Sequence, residues 1–75
     1  YQGINLDTLQ TLVDEHKIDK IDPAVLVGHG LADDKDLIKI LGRGELTAKL
    51  EVTAHAFSEK AKSAIESQGG VATII

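Results

Sequence analysis

The chain has 75 residues, a formal net charge of −4 and no cysteine, and its two aromatic residues are Tyr1 and Phe57. A chain this short holds one domain with a small core, here necessarily aliphatic, and without thiols it forms neither disulfides nor cysteine–zinc sites. No apolar stretch nears the roughly 20 residues of a membrane span and no charged-then-apolar leader opens the chain, so membrane partners are excluded and the expectation is a cytoplasmic domain over residues 1–75, monomeric in isolation.

Residues 1–4 read as a short strand. Asn5 sits where an N-cap accepts from a free amide of the next turn. Leu6, Leu9, Leu12 and Val13 then recur at helical spacing, predicting a helix from Leu6 to about His16. Asp22-Pro23 is a cap followed by proline at the first helical position. The second, shorter helix holds Ala24–Val27, is stopped by Gly28 or Gly30, and lets Leu31 pack back. Asp33-Asp34-Lys35-Asp36 is a polar connection. Leu37–Leu41 suits a buried strand, broken by Gly42-Arg43-Gly44, a turn whose glycines tolerate positive φ. Leu46, Ala48, Leu50, Val52, Ala54 and Ala56 are apolar at every even position, the period of an extended chain with one buried face. A bend splits so long a run in so small a domain. Ser58 caps a last helix whose Ala61, Ala64 and Ile65 make a narrow apolar stripe, with Glu59–Lys62 and Lys62–Glu66 spaced for ion pairing. Gly69-Gly70 ends it, and Val71–Ile75 is a final strand. The expected class is α/β: about four short strands in a small, partly parallel sheet, about three helices packed on it, in the order β-α-α-β-β-α-β.

Tyr rather than Met at position 1 points to a piece of a longer protein, which limits what net charge can say. The charge is uneven: residues 1–37 carry three lysines against eight carboxylates, −5, and residues 38–75 carry five cations against four, +1. Only the second half can approach phosphate without strong repulsion.

Few chemical signatures survive inspection. Gly28-His29-Gly30 and Gly42-Arg43-Gly44 lack the third glycine and the strand-to-helix context of a dinucleotide loop. His16, His29 and His55 stand far apart in sequence without metal-ligand spacing, and are expected at helix ends and on a strand surface. Asp33, Asp34 and Asp36 miss the alternating pattern of a calcium loop. No catalytic residue, metal or cofactor is expected. Lys39, Arg43, Lys49, Lys60 and Lys62 remain. Arg43 lies in a glycine turn whose Gly42 and Gly44 allow close backbone approach, Lys39 and Lys49 flank that turn, and Lys60 and Lys62 open the last helix. The set suits phosphate contact without base reading. The competing reading is an ordinary charged surface, which composition alone favours.

Lys39-Ile40-Leu41-Gly42-Arg43-Gly44-Glu45-Leu46, followed by Ser58-x-x-Ala61-x-x-x-Ile65-x-x-x-Gly69, resembles the C-terminal signature of bacterial large-subunit ribosomal protein fifteen. Asn5-Leu6 and Ile21-Asp22-Pro23 resemble the segments that precede it there. The resemblance covers essentially the whole chain but about half of a family protein. It implies the globular C-terminal domain of a structural, non-enzymatic constituent of the large subunit, which binds large-subunit rRNA, neighbours other ribosomal proteins and supports assembly. Family members carry an N-terminal arm rich in Gly, Arg and Lys that threads into rRNA, and nothing here matches it. The alternative is a small acidic protein–protein interaction module with no RNA role.

Overall fold

The computed structural model describes residues 1–75. In chain order the elements are β1 (Gln2–Asn5), α1 (Leu6–His16), β2 (Lys20–Ile21), α2 (Pro23–Gly28), β3 (Ile38–Leu41), β4 (Glu51–Ala54), β5 (Ala56–Phe57), α3 (Glu59–Ser67) and β6 (Val71–Ile74). The class is α/β, as the pattern of the chain predicts. The expected single sheet is instead two three-stranded sheets, ordered β1-β3-β5 and β2-β4-β6. Every pairing is parallel, from Gln2 opposite Ile38 in one sheet to Val52 opposite Ala72 in the other. Parallel neighbours need long crossovers: α1 and α2 lie between β1 and β3, α2 between β2 and β4, and α3 between β4 and β6, while the β3–β5 connection holds β4 and no helix.

The alternating run is buried in the expected phase as far as Ala54; beyond the bend Ala56 is only half-buried, and Phe57 packs against the core in its place. Leu46, Leu50, Val52 and Ala54 are buried, while Thr47, Lys49 and Glu51 are exposed. Only part of the run is regular strand, since residues 42–50 form no ladder. The anticipated bend falls at His55, between the central strand of one sheet and an edge strand of the other. Its backbone amide donates to the Ile38 carbonyl at 3.0 Å. Its ring Nδ1 accepts from the Ile38 amide at 2.9 Å. Both backbone groups of Ile38 are thus satisfied by one residue where the sheets part, as burial requires.

Fourteen buried residues, all aliphatic, form one core cluster, with Phe57 packed partly against it and Tyr1 left 77% exposed. No buried side-chain polar atom lacks a partner.

Local chemistry explains the helix ends. Asp22 Oδ1 accepts from the Val25 amide at 2.9 Å and Ser58 Oγ from the Ala61 amide at 3.2 Å, both N-caps as expected. Asn5 occupies the cap position of α1, but its side chain makes no capping bond. As the last residue of β1 it pairs with Leu41 instead, and the carbonyl of Arg43 accepts from the Asp7 amide at 3.3 Å. α2 and α3 end alike. Leu31 N–H donates to Leu26 and Gly30 N–H to Val27, while Gly70 N–H donates to Ile65 and Gly69 N–H to Glu66. These are paired bonds around a left-handed glycine, with φ +74° at Gly30 and +81° at Gly69.

The acidic connection is a solvated loop that caps itself. Asp36 Oδ2 accepts from the Asp33 amide at 2.9 Å and Asp33 Oδ1 from the Lys35 amide at 3.2 Å. The Asp34 side-chain hydrogen bond, then the Lys35 amide, hold the Asp33 carboxyl below the usual carboxylate range.

Candidate nucleic-acid interface

Gly42-Arg43-Gly44 leaves β3 and runs between the first turns of α1 and α3. A Cβ on Gly42 would lie 2.7 Å from Lys60 Cβ. On Gly44, at φ +90°, it would lie 2.5 Å from Asp7 Cβ and 2.9 Å from the Asp7 amide nitrogen. The close approach of both glycines is therefore to this chain's own helices. Gly44 alone of the two needs the left-handed region; Gly42 is small because Lys60 packs on it. The Arg43 carbonyl is committed to Asp7, while the Arg43 side chain is exposed.

The five predicted cations do not form one cluster. Arg43 and Lys60 meet at the turn, since Lys60 lies against Gly42. Lys49 sits at the other end of α3, its Cδ 3.9 Å from where a Gly69 Cβ would be, beside Asp19, Lys20 and Glu51. A nine-residue helix is about 13 Å long, so Lys49 does not flank the Arg43 turn in space. Lys62 lies on the outer face of α3 among Glu59, Ser63 and Glu66. Lys39 is half-buried on β3, on the face opposite the buried Ile38 and Ile40. Acids interleave throughout: Glu45 shares a groove with Gly44 and Lys60, and Asp7 abuts Gly44.

All five cations are nevertheless unpaired. The one ion pair joins Lys20 to Glu51 at 3.6 Å, between β2 and β4. The spacings Glu59–Lys62 and Lys62–Glu66 do not close to ion-pair distance. Free cations at exposed positions can bind phosphate without first breaking a salt bridge. The partial positive charge at the N-termini of α1 and α3, which converge on this turn, adds to Arg43 and Lys60 and offsets part of the Asp7 and Glu59 charge.

Two supporting contacts leave no mark in the sequence. Gln10 Oε1 accepts from the Thr47 amide at 2.9 Å and from the Thr47 hydroxyl at 3.3 Å, tying the segment after the turn to α1. A Cβ on Gly70 would collide with the Leu50 carbonyl, so the chain leaving α3 is pressed against the entry to β4. The partner residues are 37 and 20 positions away in the chain, and no local pattern marks them.

A family model that unites the ribosomal proteins 50S-L15 and 50S-L18e with their counterpart in the 60S subunit matches residues 3–73. The chain belongs to this ribosomal protein family. The match takes in all three helices and every strand but the outermost residue of β1 and of β6. Among similar proteins, the large ribosomal subunit protein uL15 of Christiangramia forsetii is 62% identical over 71 residues, covering 93% of this chain and 47% of the relative. The uL15 of Flavobacterium johnsoniae is 54% identical over 76 residues, covering 100% of this chain and 51% of the relative. That of Amoebophilus asiaticus is 53% identical over 75 residues, covering 100% and 49%. The chain spans about half the length of these curated relatives. No helix is long and apolar enough to cross a membrane.

Proposed function

We propose that this chain is the globular C-terminal part of a uL15-type protein, a structural constituent of the large ribosomal subunit in the cytoplasm. In that role it contacts large-subunit rRNA and helps the subunit assemble. Membership of the family over residues 3–73 carries the ribosomal reading. The unpaired Arg43 and Lys60, fixed at one turn by Gly42, support an RNA contact there, with Lys39, Lys49 and Lys62 as separate, weaker phosphate contacts. None offers the stacked aromatic surface of a single-strand reader, so the contacts are to backbone. The acidic first half, −5 over residues 1–37, repels phosphate and suits neighbouring ribosomal proteins.

The test is a titration of the chain against large-subunit rRNA over a series of salt concentrations, beside a full-length uL15. The chain alone should bind weakly and lose affinity steeply with salt, because released counterions supply the free energy. The full-length protein should bind far more tightly. Equal affinities that ignore salt would sink the proposal.

A further inference from the structure

We infer that His16 and His29 form a two-imidazole site for a late first-row divalent transition ion. The residues are 13 positions apart in the chain. Their rings nevertheless meet, with centroids 4.5 Å apart and planes inclined at 45°. Both sit where their helices end, as expected, and the ends of α1 and α2 converge.

The geometry suits a metal. With metal–nitrogen bonds of about 2.0 Å, two imidazoles in adjacent positions at a right angle place their ring centres about 4.5 Å apart; a tetrahedral angle needs about 5 Å. The observed centroid spacing allows a nitrogen of each exposed ring to rotate onto neighbouring positions of one tetragonal or octahedral ion, the preference of Ni2+ and Cu2+. Zn2+ requires a slight opening. The electrostatics favour a cation. His16 lies in the last turn of α1 and His29 caps the end of α2, where the C-terminal ends of the helix dipoles carry partial negative charge. Glu15, Thr8 and Thr11 line the same recess. No third histidine or carboxylate groups with the pair to hold an ion, so water fills the other positions and affinity is modest. His55 is unsuited, since its Nδ1 accepts from Ile38. The site is at the far end of α1 from Arg43, about 16 Å along an 11-residue helix, and stands independently of the ribosomal reading. A bound ion would clip α1 to α2 and raise stability by mass action.

Calorimetric titration of the 75-residue chain with NiCl2 at neutral pH tests this, with ZnCl2 alongside and MgCl2 as the hard-cation control. One Ni2+ per chain should bind saturably, Mg2+ should not, and the melting temperature should rise with Ni2+. His16→Gln and His29→Gln should each weaken Ni2+ binding at least tenfold and remove the thermal shift. Both side chains are exposed, so the variants should keep the wild-type circular dichroism and metal-free melting temperature. Ni2+ affinity unchanged in either variant, or unsaturable uptake shared with Mg2+ at the acidic loop, would overturn the inference.

Discussion

Each end of α3 meets two glycines, and the two pairs answer different demands. At the start of the helix, Gly42 and Gly44 make room for side chains and a helix turn, Lys60 on one flank and Asp7 on the other. The Arg43 side chain between them touches neither demand and stays exposed. At the end, Gly69 supplies a left-handed residue and Gly70 slots between the Leu50 and Ile65 carbonyls. Nothing in that second pair projects a functional group. One glycine pair brackets an exposed cation, the RNA contact proposed above, and the other joins helix to sheet. Similar sequence punctuation thus leaves a side chain free at one end and only backbone packing at the other.

The largest expected effect removes the floor under both ends. Val52 is 1% exposed on β4, the central strand of its sheet. Val52→Asp should unfold the chain, since an unpaired buried carboxylate costs on the order of 5 kcal/mol, the whole stability of a domain this small. Wild-type circular dichroism in that variant would refute the register of the alternating run. Next comes the C-terminal pair. Gly70→Ala forces a methyl onto the Leu50 carbonyl and should cost about 3 kcal/mol, the upper range of overpacking, read as a lowered urea midpoint. Gly44→Ala should follow at about 2 kcal/mol, from the left-handed backbone and from the methyl pressed against Asp7. If it proves as harmless as a surface change, the turn is looser than the contacts of Asp7 imply and the contrast weakens. The smallest effect on stability should come from Arg43→Ala, within about 0.5 kcal/mol. The same variant should weaken rRNA binding by the full-length protein and reduce its salt slope by about one contact. Unchanged binding would move the RNA surface to Lys62 and Lys49 and leave this turn purely structural.

Much of the fold is legible residue by residue because it is decided within a few positions. Asp22 and Ser58 cap amides three residues ahead. Gly30 and Gly69 close helices through bonds spanning three to five residues. The phase of Leu46–Ala54 follows from alternation alone. Asn5 shows the limit: its type is right for a cap, but pairing with Leu41 and the arrival of the Arg43 carbonyl leave its side chain unused.

The candidate site divides the same way. The sequence by itself determined which residues carry charge, where the turns and helix ends fall, and that one aliphatic face is buried. These follow from side-chain chemistry and from hydrogen bonds reaching at most five residues. The tertiary structure alone decided that the strands part into two parallel sheets at His55 and that two-residue β2 pairs with β4. It also placed Lys49 at the opposite end of α3 from Arg43 and brought His16 against His29. Parallel pairing and helix packing join residues tens of positions apart, and the closeness they create leaves no periodic trace in the chain.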